Sequence, residues 1–135
     1  VVTNQAGIGR GLYWESQFAE YTLWMMDQLM TQGIDILRVY YCPHHPVAGQ
    51  GEYRVDCECR KPRPGMILAA AADLGMDLST AVMIGDKASD MLAARAAGVG
   101  CCIQVDSAES DNERRNDVVY VDGLLQAQAV IQSSG

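Results

Sequence analysis

Apolar residues along this chain alternate between short β-branched runs and stripes at helical spacing. Val1-Val2-Thr3-Asn4 reads as the end of a buried strand running into a polar loop, with no turn, cap or methionine before it. The glycines of Gln5-Ala6-Gly7-Ile8-Gly9-Arg10-Gly11 then mark a flexible loop. Trp14, Phe18, Tyr21, Met25 and Leu29 follow at helical spacing, with Gly33 as terminator. This predicts an amphipathic helix whose Trp and Met residues lie in the core. Residues 36–41 are apolar and β-branched enough for a strand, and residues 42–59, with Pro43, Pro46, Gly49 and Gly51, form a long loop. A loop of that length inside a compact domain needs a physical reason.

The second half repeats a strand and helix rhythm. Pro64 sits where a helix would start, residues 66–74 continue it, and Gly75 stops it. Residues 81–84 predict a short buried strand ending at Gly85-Asp86, residues 88–97 a helix closed by Gly98, and residues 101–105 another strand. After a polar stretch over residues 106–117, residues 118–121 read as a last strand and 124–131 as a last helix. The alternation implies an α/β fold with a parallel sheet covered by helices on both faces. Ligands in open sheets of this kind bind beyond the C-terminal strand ends, which here carry Thr3-Asn4, Cys42 and Gly85-Asp86. The polar motifs are therefore expected to converge on one edge.

Composition narrows the class. With 135 residues, 49% of them hydrophobic, the chain suits one domain, residues 1–135, around a single core. Ten Lys+Arg against seventeen Asp+Glu argue against a nucleic-acid partner, while an anionic small molecule needs only local cations and N–H groups. No apolar run approaches the roughly 18 residues of a membrane span, and no secretory pattern opens the chain. A soluble cytoplasmic protein without membrane contact is expected.

Of five cysteines, Cys42, Cys57 and Cys59 are bunched with a histidine. Cys42-Pro43-His44, twelve residues, then Cys57-Glu58-Cys59 supply three thiolates and an imidazole, a set suited to tetrahedral Zn²⁺. The loop between them has little apolar content, and four metal bonds could fix it with a gain on the order of ten kcal/mol. A disulfide with a spare thiol is the alternative, and His45 could replace His44. Four protein ligands leave no place for water, so such a zinc is structural. Cys101 and Cys102 read as buried small hydrophobes.

Asp86 and Asp90 place hard oxygen ligands at a strand end and one turn into the following helix, which suits Mg²⁺ at Asp86, although Asp is also a common N-cap. Asp90 is expected to cap or to stand behind a ligand. Arg60-Lys61, directly after the last zinc ligand, could neutralise a phosphoryl group or form a solvated pair. Thr3 and Asn4 offer a hydroxyl, an amide and N–H groups to an anion, as turn residues also do. Together these segments suggest phosphate chemistry.

The runs Val-Val-Thr-Asn-Gln-Ala-Gly-Ile, Tyr-Tyr-Cys-Pro-His-His-Pro, Cys-Glu-Cys-Arg-Lys-Pro-Arg-Pro-Gly-Met and Gly-Asp-Lys-Ala-Ser-Asp-Met closely resemble the D-glycero-D-manno-heptose-1,7-bisphosphate 7-phosphatase family. That family lies in the haloacid dehalogenase (HAD) superfamily, and the resemblance runs in order from residue 1 to about residue 105. It implies a HAD-like Rossmannoid sheet with a zinc-binding loop, and hydrolysis of the 7-phosphate on the route to ADP-heptose and lipopolysaccharide core, by a cytoplasmic monomer. It implies that Thr3 and Lys61 stabilise the phosphoryl group, and that Thr3, Asn4, Gln5, Ala6, Arg60, Lys61 and Lys87 contact the phosphorylated sugar. Asp86 would help to bind Mg²⁺, and Cys42, His44, Cys57 and Cys59 match the family's zinc ligands one for one.

Histidinol phosphatases share these zinc ligands and the Cys-Arg-Lys-Pro run, but typically have a shorter loop and no second histidine. The family implies an aspartate nucleophile, with a second Asp two residues later as general acid and base, and no Asp-x-Asp followed by Gly-Thr occurs in this sequence. The sequence therefore reads as an N-terminally incomplete domain that lacks its first strand and is inactive alone. A sugar-phosphate-binding or interaction module bearing zinc is the alternative.

Overall fold

The computed structural model describes residues 1–106 and 114–135. Part of the polar stretch expected over residues 106–117, residues 107–113, lies outside the described residues. The chain divides into two compact units, Val1–Arg60 and Lys61–Gly135.

The first unit contains β1 (Val2–Asn4), the one-turn helix α1 (Ala6–Gly9), α2 (Glu15–Thr31), β2 (Tyr40–Cys42) and a 3₁₀ turn at Gly51–Tyr53. β1 and β2 pair in parallel, Val2 with Tyr40, Thr3 with Tyr41 and Asn4 with Cys42. The expected flexible loop after Asn4 is instead ordered by α1, because the chain there finds specific acceptors. Gln5 N–H donates to Cys42 C=O at 2.8 Å and Gly9 N–H to Pro43 C=O at 3.1 Å. A Cβ on Gly9 would lie 2.3 Å from that Pro43 oxygen, so this close approach needs glycine.

Two expectations for this unit are corrected. The strand expected over residues 36–41 is confined to Tyr40–Cys42, since β1 offers only three ladder partners. Of the stripe on α2, only Phe18 is buried, its ring 4.8 Å from that of Tyr41. Trp14 is 75% exposed and Trp24 58% exposed, so these tryptophans are not core residues within the chain. Periodicity shows which residues share a helix face, not whether the chain covers that face.

The second unit contains α3 (Gly65–Leu74), a 3₁₀ turn (Leu78–Thr80), β3 (Val82–Gly85), α4 (Ala88–Ala97), β4 (Cys101–Val105), β5 (Val119–Val121) and α5 (Leu124–Ser133). The strands form a parallel ladder in the order β3-β4-β5. Gly75 (φ 62°) and Gly98 (φ 87°) end α3 and α4 in the left-handed region, as their placement in the sequence predicts. Cys102, Ile103 and Gln104 on β4 are consecutive and all buried, so both faces of that strand are covered. Ile103 packs with Val121 and with Ala127 of α5.

β3 departs from the expected buried strand. Val82 and Ile84 share one face of the strand and are exposed, while Met83 and Gly85 on the opposite face are half-buried, so no described residue covers the first face. The parallel direction expected for the sheet is present throughout, while the described strands fall into two ladders, one in each unit. Among the described residues no helix is long and apolar enough to cross a membrane.

Candidate metal centre and anion-binding residues

The four predicted metal ligands come together within the first unit. β2 ends at Cys42, which is fully buried, and the turn after it brings His44 round to face Cys57 and Cys59. Their ligand atoms all lie within 4.8 Å of one another. Cys59 Sγ is 2.8 Å from Cys42 Sγ and 3.3 Å from Cys57 Sγ, and His44 Nδ1 is 3.3 Å from Cys59 Sγ. A tetrahedron with metal bonds of about 2.3 Å has edges of roughly 3.8 Å, so shifts of about 1 Å or less would regularise the cluster into a Zn²⁺ site. The Sγ–Sγ separations of 2.8, 3.3 and 3.4 Å exceed the roughly 2.05 Å of a disulfide bond, and the convergence of all four side chains favours a metal over that alternative.

The three thiols lie close enough to shift one another's ionisation. Burial raises the Cys42 thiol, and burial followed by the neighbouring Cys42 and Cys57 thiols raises Cys59. Burial also works against Cys57, but hydrogen bonds from Cys59 and Cys42, the Arg60 N–H and His44 outweigh it and bring Cys57 down to about 7. Cysteine binds a metal as the thiolate, so a divalent cation at this cluster would release protons from these thiols.

The two histidines have distinct positions. His44 Nδ1 points into the cluster, whereas His45 Nδ1 accepts from the backbone N–H groups of Val47 at 3.2 Å and Ala48 at 2.9 Å. His45 therefore shapes the loop and is not a ligand. Gly49 approaches the Tyr53 carbonyl so closely that a Cβ would lie 2.4 Å from its oxygen.

Three residues that sequence reasoning missed brace this loop. Glu15, at the start of α2, accepts from Tyr41 Oη at 2.7 Å and from Tyr53 Oη at 2.8 Å. These bonds hold the Glu15 carboxyl below its usual range and push both phenols up. An acidic residue in a first helical turn was a visible signal, but its pairing with two distant tyrosines was not.

The candidate anion-binding groups divide between the units. In the first, Gln5 Nε2–H donates to Thr3 Oγ1 at 2.9 Å, and Tyr13 Oη–H donates to Gln5 Oε1. Thr3, Asn4, Gln5 and Ala6 are all half-buried, and Gln5 and Tyr13 border a cavity of about 320 Å³ with Gln17, Phe18 and Tyr21. Arg60 Nη1 lies 3.5 Å from the His44 carbonyl oxygen, so this guanidinium leans back onto the metal loop.

In the second unit, Lys61 Nζ meets Asp90 Oδ1 at 2.5 Å, with side chains only 10% and 8% exposed. The other carboxylate oxygen of Asp90 accepts from the Lys87 N–H at 3.2 Å and caps α4, the capping role expected for it. Gly85 leaves the room for this: a Cβ there would lie 2.5 Å from Asp90 Oδ2. Asp86 and Lys87 are exposed where β3 passes into α4, and Asp86 offers a carboxylate oxygen to a hard cation.

Residues 58–127 match the model of the HAD-hydrolase-like family. The chain is 46% identical over 114 residues to a D-glycero-β-D-manno-heptose-1,7-bisphosphate 7-phosphatase from Vibrio cholerae, a match covering 84% of this chain and 61% of the relative. It is 44% identical over 133 residues to the enzyme of the same name from Pasteurella multocida, covering 98% of this chain and 67% of the relative. The chain thus spans about three fifths to two thirds of these relatives' length. The solved structure of a D,D-heptose 1,7-bisphosphate phosphatase from B. bronchiseptica, complexed with magnesium and phosphate, superposes with a TM-score of 0.82 at 25% identity. That match covers 99% of this chain and 73% of the other.

Proposed function

The chain belongs to the HAD-like hydrolases, and from that premise we propose that the protein carrying it hydrolyses the 7-phosphate of D-glycero-D-manno-heptose 1,7-bisphosphate. The observation that carries this reading is the 44% identity, held over 98% of the chain, to a relative named for that reaction. In this reading Cys42, His44, Cys57 and Cys59 hold a structural Zn²⁺ that fixes the loop leading to Arg60. Thr3 donates its hydroxyl proton to the phosphoryl group, and Asn4, Gln5, Ala6, Arg60 and Lys87 contact the substrate. Lys61 neutralises charge on the phosphoryl oxygens, its ammonium held by Asp90. Asp86 helps to hold a Mg²⁺ ion, which supplies further positive charge to the phosphoryl group.

The family's covalent path needs an aspartate nucleophile in an Asp-x-Asp motif, and this sequence contains no such motif. Turnover is accordingly proposed for the whole protein, and ligand binding for this chain. The bunching of Cys42, Cys57 and Cys59 with His44 as a metal set supports a reducing compartment, the cytoplasm, where a monomer would feed ADP-heptose and lipopolysaccharide core synthesis.

The use of His45 to organise a long loop supports the heptose reading over histidinol phosphate. The test offers the whole protein the α and β anomers of the heptose bisphosphate and, separately, histidinol phosphate, and measures released phosphate. The expected result is release from a heptose bisphosphate with the 1-phosphate product identified by NMR. Preference for histidinol phosphate, or zinc binding without phosphate release from any of the three, would overturn the reading.

A further inference from the structure

We propose that Tyr13 is a positioning residue that works through Gln5 to aim the Thr3 hydroxyl proton at a bound phosphoryl oxygen. This rests on the reading of Thr3 as a phosphoryl-binding group.

A hydroxyl has one proton and two lone pairs. Gln5 Nε2–H occupies one lone pair of Thr3 Oγ1 at 2.9 Å, so the Thr3 proton must be directed elsewhere. Were the Gln5 amide turned over, its oxygen would face Thr3 and take that proton, leaving an anion facing lone pairs. The Tyr13 hydroxyl decides between these two states. A phenol is a good donor and a poor acceptor, because its oxygen lone pair is delocalised into the ring. Its bond to Gln5 Oε1 therefore favours the orientation in which Nε2 faces Thr3.

The surrounding backbone is built for this relay. Gln5 N–H is anchored on the Cys42 carbonyl at 2.8 Å, which fixes the root of the amide side chain. Gly7 gives the phenol ring its place: a Cβ there would lie 2.3 Å from Tyr13 Cε1. Both bonds of the relay are partly shielded from water, which keeps the alternative partners of Gln5 few.

The experiment is a double-mutant cycle on the affinity for inorganic phosphate, measured by calorimetry in the presence of Mg²⁺ and Zn²⁺. Wild type, Tyr13→Phe, Thr3→Val and the double variant are compared, with a melting curve for each to show that all are folded. Tyr13→Phe is expected to weaken phosphate binding about three- to tenfold, a loss of about 0.7 to 1.4 kcal/mol. Thr3→Val is expected to weaken it at least as much, and Tyr13→Phe should then add nothing in the Thr3→Val background. If Tyr13→Phe weakens binding equally in both backgrounds, or in neither while Thr3→Val does, the relay is overturned and the Thr3 site stands. If wild type does not bind phosphate, or Thr3→Val leaves the affinity unchanged, the underlying reading of Thr3 falls and the relay with it.

Discussion

The two units hold themselves together by different chemistry. Of the described buried hydrophobic residues, only Ile8, Phe18 and Cys42 lie in the first unit, and Cys42 is at the same time a candidate metal ligand. The second unit buries Met66, Ile67, Met91, Ala93, Ala94, Val99, Cys102, Ile103, Val118, Val121 and Ala127. The first unit compensates for its sparse core with directional bonds: the Cys and His cluster, the Glu15 carboxylate between two phenols, and His45 bridging its own loop. One region relies on hydrogen bonding and a candidate metal cluster, the other on packing. The two should therefore fail under different insults.

The largest effect should come from removing the metal. Cys57→Ala, or a chelator added to the wild type, removes a term on the order of ten kcal/mol from the first unit. Metal analysis should show zinc lost, and hydrogen exchange should show the His45, Gln50 and Tyr53 amides unprotected while those of β4 stay protected. Phosphate affinity should fall as well; an unchanged affinity would count against the idea that the loop positions Arg60.

The reverse experiment is milder. Ile103→Ala, at a fully buried position in the second unit, should lower stability in denaturant by about 2 to 5 kcal/mol with zinc stoichiometry unchanged. Loss of zinc in that variant would show that the two regions are not separately stabilised.

The smallest effect is a pH dependence confined to the second unit. Asp77 Oδ1 accepts from Ser79 Oγ at 2.6 Å and from Ser79 N–H at 2.9 Å, bonds that hold its carboxyl below the ordinary value. A depressed folded-state value contributes stability above the unfolded-state value of 3.8, and the contribution is lost as pH falls through the folded value. The difference in melting temperature between wild type and Asp77→Ala should be small at pH 7 and should vanish on acidification.

Which parts of this were legible in the sequence follows the same division. Pro64, Gly75 and Gly98 marked the ends of α3 and α4 because backbone geometry at those positions is dictated by residue type. Cys42, His44, Cys57 and Cys59 were legible because few chemistries other than metal binding need that set. The exposure of Trp14, Trp24, Val82 and Ile84 was not, since hydrophobicity reports a preference for burial and not the presence of a covering surface. Nor could spacing separate His44 from His45, or connect Glu15 to Tyr41 and Tyr53 across 26 and 38 residues. Those pairings are set by tertiary geometry, as is the bond from Tyr13 to Gln5.

Cys42 closes the β1–β2 ladder opposite Asn4, gives its carbonyl to Gln5, and turns its side chain into the metal cluster. A slip of one residue in the pairing of β1 and β2 would turn that side chain to the opposite face of the ladder. Because its last residue is also a candidate metal ligand, β2 ties the alignment of this ladder to the geometry of the loop that follows it. A metal held at Cys42 would thereby favour the strand alignment that also sets Thr3, Asn4 and Gln5 in their places.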